Sequence, residues 1–274
     1  MRTLCVTTSK GGPGKTSISF NVAAGMAARG LKVLAVDLDP QANLTMALTK
    51  GVGTTEHGSD LVLMNQQPAS QLISHSQFEN LCLLPSGPQL ANVAASLQNE
   101  VARESRLQKS LAEVEQSFDV CVIDTCPTLG VLVINALVAA ENVIVPCVPG
   151  LFDVAGLASI QETMDQVREW LNNPELKILG IALNRVQRSR ITNDVREQLT
   201  TALPGLVFDS ELPQSVVVEE SICRFQTVSQ WKPKSKVAVA FENLTEEVID
   251  RGQYEIRSGA IRDRQSTTPQ IRAA

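Results

Sequence analysis

The segment Lys10-Gly11-Gly12-Pro13-Gly14-Lys15-Thr16-Ser17 carries the residue types that a chain of phosphates calls for. Glycines let successive backbone N–H groups turn inward around phosphate oxygens. A helix that starts directly after the loop adds the positive end of its dipole. Lys15 supplies a compact charge for the β- and γ-phosphates, and the Thr16 hydroxyl is placed to ligate Mg²⁺. A specified Gly-Gly-x-Gly-Lys-[Ser/Thr] string arises by chance in about one chain in 500 of this length. The full phosphate-loop pattern G-x-x-x-x-G-K-[ST] begins with a glycine where this chain has Ser9. A dinucleotide-binding turn is the competing reading, with Asp37 as the ribose acid. It requires glycine at position 17, which is Ser17, and it gives Lys15 no work.

Two further segments could hold a metal and steer water. Asp37-Leu38-Asp39 closes an apolar run, so in a strand Asp37 and Asp39 point to the same side. Val120-Cys121-Val122-Ile123-Asp124 is an apolar run ending in an acid, the form of a strand whose carboxylate holds Mg²⁺ through water. A strand-ending Asp alone is often only a turn residue. Three such features in order, in one chain, point to nucleotide hydrolysis with ATP and Mg²⁺ as ligands.

A frame must bring these residues to one edge. Short β-branched runs predict strands over 4–7, 33–38, 81–84, 120–123, 143–148 and 178–183, each bounded by Gly, Pro, Asn or Asp. A helix is predicted over 16–29, with Ile18, Val22, Ala23 and Met26 near helical spacing and Gly30 at its end. Near-continuous hydrophobicity suits strands covered on both faces. Alternation with helices then implies an α/β, doubly wound, mostly parallel sheet with helices on both faces, the P-loop NTPase class. Residues 49–76 are polar and weakly patterned.

The chain has 274 residues, 43% of them hydrophobic, enough for one large domain, expected over 1–250. From about Gly252 the pattern stops, and 251–274 reads as a flexible basic tail with Arg251, Arg257, Arg262, Arg264 and Arg272 against Glu255 and Asp263. The formal net charge of -5 excludes a polycation, so contact with nucleic acid needs a local basic patch. No apolar signal segment and no run of about 18 apolar residues appears, so a cytoplasmic protein is expected. Cys5, Cys82, Cys121, Cys126, Cys147 and Cys223 form no C-x-x-C pair, and only two His accompany them. A zinc site is therefore not expected, and most of these cysteines read as small buried hydrophobes.

Together the motifs resemble the ParA/MinD family of partition and positioning ATPases, the deviant Walker A group. That family's loop is K-G-G-x-G-K-[ST], so Lys10 matches its signature lysine and Ser9 ceases to be a departure. Asp37-Leu38-Asp39-Pro40-Gln41-Ala42-Asn43 resembles its D-x-D-P-Q-x-N segment. Residues 118–130 resemble its second acidic strand, with Cys126 and Thr128 in place of the usual Pro and Ser. Weaker likeness at 84–87, 145–146, 183–185 and 233–236 carries it across most of the chain.

The resemblance implies that ATP sits between two subunits of a homodimer, with Lys10 of one reaching the phosphates held by the other. Gly11, Gly12, Pro13, Gly14, Lys15, Thr16 and Ser17 would cradle the nucleotide. Asp39 would orient the attacking water, and Thr16, Asp37 and Asp124 would serve the Mg²⁺ shell. Asn184 would read the adenine edge, with Pro213 in the same pocket. Hydrolysis would be slow alone and faster with a ParB-like or other adaptor protein. The ATP dimer would bind DNA without sequence preference, moving a plasmid, chromosome or other large cargo over the nucleoid.

One departure bears on the DNA. Where DNA-binding relatives carry two arginines, this chain has Gln214 and Val217; Arg185, Arg188, Arg190, Lys232, Lys234 and Lys236 are candidate replacements. The tail, with Gly252, Gly259 and Pro269, lacks the pattern of an amphipathic membrane anchor, so no membrane partner is expected. Two other classes stay open. One is a metabolic or assembly enzyme on the same fold, a ligase or an iron-protein-like reductase that would need Cys126 and Cys147 facing a partner subunit. The other is a DNA-binding regulator switched by ATP.

Overall fold

The computed structural model describes residues 1–52, 57–150 and 153–255. Its sheet is built from β1 (Arg2–Val6), β2 (Val33–Leu38), β3 (Ser74–His75), β4 (Leu81–Leu84), β5 (Val120–Thr125), β6 (Asn142–Cys147) and β7 (Lys177–Leu183). The order is β3-β4-β2-β5-β1-β6-β7. All neighbours run parallel except the β3–β4 pair at the edge. Parallel neighbours need long crossovers, and helices supply them.

Side-chain alternation explains the continuous apolar runs. Leu4, Val6, Val33, Ala35, Val120 and Val122 enter one core layer, while Cys5, Leu34, Val36, Cys121 and Ile123 enter the other. The first layer is closed by helix Lys15–Ala28 through Ile18, Val22 and Met26, and by helix Lys236–Gly252 through Phe241, Leu244 and Val248. The second is closed by helices Val131–Ala139 and Asp153–Trp170 through Val133, Leu137, Ile160 and Met164. Both faces of each central strand are thereby dry, so β2 and β5 are apolar up to Asp37 and Asp124 near their carboxyl ends.

β5 is inserted between β1 and β2, and this positions the chemistry. Its register sets Asp124 beside Val6 on one side and beside Asp37 on the other. The loop after β1 and the acids at the ends of β2 and β5 therefore open at the same carboxyl edge, where ligands of open α/β sheets bind.

The structure departs from the sequence reading in three places. The weakly patterned stretch holds short helices Ser59–Leu63 and Ala69–Leu72 and the two-residue β3. β5 runs through Asp124 to Thr125, so the acid lies within the strand. The expected tail at 251 begins too early. Arg251 donates to the carbonyls of Gly205 and Val207 at 3.0 Å each, and Tyr254 is buried with its hydroxyl accepting from Asn142 Nδ2 at 3.1 Å. An apolar ring two residues past the last helical turn was enough to extend the fold. The rest of that expected tail lies outside the described residues. Among the described residues, no helix is long and apolar enough to cross a membrane.

Candidate functional site

The loop after β1 leads into helix Lys15–Ala28 through Gly14, whose φ of 94° lies in the left-handed region. A Cβ there would also stand 2.1 Å from Asn184 Nδ2, so only glycine fits. No side chain caps this helix and no acid stands in its first turn. Its leading N–H groups and positive dipole end are thus left for an anionic ligand.

Lys15 is buried, and its Nζ donates to the Lys10 carbonyl at 3.1 Å. Burial lowers its pKa, while the charges of Asp124 and Asp39 work the other way. The ammonium thus lies inside the loop, on the Lys10 carbonyl. Lys10 itself is half-buried. Its side chain passes Gly156, with Cε 3.6 Å from where a Cβ on that glycine would stand.

The carboxylates form one connected cluster. Asp124 accepts from Thr16 Oγ1 at 2.7 Å and from Ser19 Oγ at 2.9 Å. Asp37 accepts from the Asp39 N–H at 3.0 Å through Oδ1, and through Oδ2 from the N–H and Oγ1 of Thr45 at 2.8 and 2.7 Å. Asp39 accepts from the Gln41 N–H at 2.9 Å through Oδ1. Asp37 and Asp124 are completely buried, whereas Asp39 keeps 8% exposure. Burial pushes the Asp37 carboxyl up to about 6 and Asp124 to about 7, the latter raised further by the charge of Asp37.

Among the described residues no three metal-type side chains converge on one point. That suits Mg²⁺, which keeps most of its waters and leans on one or two carboxylates and the substrate's phosphates. Thr16 Oγ1 and Asp124 supply hard oxygen donors beside the phosphate loop, and Asp37 lies next in register. The residues present fit the ion.

The raised values have a measurable consequence. A carboxyl whose folded pKa exceeds the ordinary value near 4 binds protons more tightly when folded. Its contribution to stability is present at low pH and is lost as pH rises through about 6 to 7. In nucleotide-free protein, Asp124→Asn should therefore gain Tm over wild type as pH rises from about 5 to about 8, by an amount worth a few kcal/mol at most. Thermal melts across that interval check it; a variant equally or less stable at the upper end contradicts it.

The other expected residues are placed as follows. Asn184 follows β7, donates from Nδ2 to the Pro13 carbonyl at 2.7 Å, and accepts the Arg185 N–H at 2.8 Å. Its side chain braces the phosphate loop through the Pro13 carbonyl. Pro213 lies beside the end of β7, bridged to Val186, with the Leu212 N–H on the Leu183 carbonyl at 2.9 Å. Gln214 takes its side-chain hydrogen bond from Gln187, and Val217 is half-buried. Arg185, Arg188, Arg190, Lys234 and Lys236 are exposed, whereas Lys232 is paired with Glu220 at 2.7 Å. Cys126 and Cys147 are both buried in the core, with Sγ directed at the carbonyls of Thr128 and Val148.

Sequence reasoning missed Ser19, Thr45, Ser59 and Ser86. Ser19 carried a usable signal, since it lies one helical turn from Thr16 on the same face. The others acquire their role only through the fold.

Residues 1–178 match the model of a protein family described as an AAA domain. The chain is 31% identical to the sporulation initiation inhibitor protein Soj of Bacillus subtilis, over 91% of this chain and 98% of that one. It is 31% identical to the chromosome partitioning protein ParA of Myxococcus xanthus, over 91% of this chain and 88% of that one. Among solved structures it is similar to the cobyrinic acid a,c-diamide synthase of Mycobacterium smegmatis with bound ATP analog and magnesium. The TM-score is 0.78 at 29% identity, covering 92% of this chain and 96% of that one.

Proposed function

The chain belongs to the ParA/MinD-type P-loop ATPases, and from that premise we propose that it is a partition or positioning ATPase that dimerises on ATP and moves a large cargo over DNA. The observation that carries the reading is the junction of the Lys10–Ser17 loop with a buried carboxylate cluster, in which Asp39 alone keeps exposure. The uncapped helix and the loop N–H groups bind the phosphates, Lys15 neutralises them, and Asp39 aligns the water that attacks the γ-phosphorus. Magnesium, when bound, offsets phosphate charge as a Lewis acid. Thr16 and Asp124 hold its place, and Asp37 supports its shell. We read Asn184, whose amide also engages the Pro13 carbonyl and the Arg185 N–H, and Pro213 as serving the adenine end of the pocket. The protein acts in the cytoplasm on the nucleoid, and a ParB-like or other adaptor protein speeds turnover.

The basic loop 185–190 is the best candidate for DNA contact, because it is joined to the Pro213–Gln214 segment by backbone and side-chain hydrogen bonds. Neutral Gln214 and Val217 leave each subunit's patch weak, so affinity depends steeply on having two in one dimer.

Lys10→Ala tests this. The variant keeps the backbone carbonyl that Lys15 uses, so monomer affinity for ATP stays within about threefold. It loses ATP-dependent dimerisation, because a charge contact is removed from a desolvated interface, and DNA binding falls with it. Sedimentation with ATP, plus DNA binding at two salt concentrations, measures both. A variant that still dimerises removes the two-subunit site. A wild-type dimer that ignores DNA at low salt leaves the ATPase standing and removes DNA as its track.

The likeness to the diamide synthase favours one second reading, an ATP-consuming synthase on the same fold. Turnover that requires a carboxylic acid and a nitrogen donor, and is indifferent to DNA and dimerisation, would identify it.

A further inference from the structure

Ser86 is completely buried, 47 residues along the chain from Asp39, yet both of its polar groups serve the catalytic segment. Its Oγ donates to the Asp39 carbonyl at 2.8 Å, and its N–H donates to Thr45 Oγ1 at 2.9 Å. Thr45 Oγ1 in turn donates to Asp37 Oδ2, whose partner oxygen accepts the Asp39 N–H. Both backbone groups of Asp39 are thus held, the N–H through Asp37 and Thr45, the carbonyl by the Ser86 hydroxyl together with the Ala42 N–H at 2.9 Å. Its Oδ1 takes the Gln41 N–H, and Oδ2 takes no hydrogen bond from the described residues.

The loop that carries Ser86 is itself locked. Ser59 donates from its N–H to the Pro85 carbonyl at 2.8 Å and from Oγ to the Asp37 carbonyl at 2.9 Å. Buried Asp60 accepts the N–H groups of Gly58, Leu61 and Gln89. A Cβ on Gly87 would fall 1.8 Å from Asp60 Oδ1, so the chain passes here only as glycine. Such hydroxyls do no chemistry themselves; they remove the freedom of a backbone whose side chain must meet a water in one place.

We propose that Thr45 and Ser86 are positioning residues for hydrolysis, a hydroxyl relay that fixes the backbone of Asp39 and so the direction of its carboxylate. The proposal rests on the reading of Asp39 as the water-aligning group. Phosphate binding belongs to Lys15, Thr16 and the loop, so loss of the relay should lower kcat and leave ATP affinity nearly unchanged.

The test compares full-length Thr45→Val, Thr45→Ser, Ser86→Ala and Asp39→Ala for kcat and KM of ATP turnover, for ATP affinity, and for Tm with ATP. Thr45→Val should lose about tenfold or more in kcat with ATP affinity within about threefold. Thr45→Ser, which restores the hydroxyl, should return to within about threefold of wild type. Ser86→Ala should fall in the same sense, and it carries the test by itself if Thr45→Val does not fold. Wild-type kcat in Ser86→Ala and Thr45→Val beside an inactive Asp39→Ala overturns the relay and leaves Asp39 in place. So does a Thr45→Ser as impaired as the valine. Normal turnover by Asp39→Ala removes the reading of Asp39, and the relay with it.

Discussion

Lys15→Ala is expected to abolish ATP binding, a loss of about 100-fold or more in affinity, or roughly 3 kcal/mol. Lys15 is the one cation that the loop buries at its own helix start, and its Nζ sits on the Lys10 carbonyl in wait for a better acceptor. The charges of Asp124 and Asp39 act on that ammonium, and Asp37 lies beside Asp124 in register. With the ammonium gone, phosphate would meet carboxylates without the buried charge that offsets them, and the N–H groups of the loop could not replace it. Thr16 and Ser19 would still hold Asp124, so the fold should survive. Calorimetric titration with ATP and magnesium measures the effect. Affinity unchanged within about threefold would remove the phosphate-loop assignment.

Asp39→Ala is expected to do the opposite, keeping ATP binding and ATP-dependent dimerisation while turnover drops by about 100-fold or more. The choice of Asp39 over Asp37 is physical. Asp37 is completely buried, and both its oxygens already accept hydrogen bonds from Asp39 and Thr45. Its truncation would orphan three donors and disturb the loop as a whole. Asp39 retains exposure and an oxygen without a donor among the described residues, which a water can use. Single-turnover hydrolysis together with ATP affinity separates the two steps. A variant that hydrolyses at the wild-type rate shifts the catalytic assignment to Asp37.

The two variants divide the site into a half that binds and a half that reacts, and the raised carboxyl values belong to both. Packing Asp37 and Asp124 against each other costs stability at neutral pH. A core designed for stability alone would not contain that pair. Its presence gives the carboxyl edge of β2 and β5 an electrostatic cost that a bound cation would offset.

Much of this protein is local, and local features were legible in the sequence. Phosphate binding needs turning glycines, a cation and a helix start within eight residues, so Lys10–Ser17 declares itself without a fold. The buried strands were legible because both faces are dry, which forces the runs at 33–36, 81–84 and 120–123 to be apolar throughout. β3 was not legible, because two residues cannot display a period. The extension to Tyr254 was not legible either, because one ring against Asn142 leaves no pattern along the chain. Tertiary structure alone placed β5 between β1 and β2 and so brought Asp124 beside Asp37. It alone set Asn184 under Pro13 and Gly14 across 171 residues, and the Ser86 hydroxyl on the Asp39 carbonyl across 47. A hydrogen bond depends on a few tenths of an ångström between groups that sequence separation does not relate. Residue type can show that a serine is able to donate; only the crossing of the chain decides what receives it.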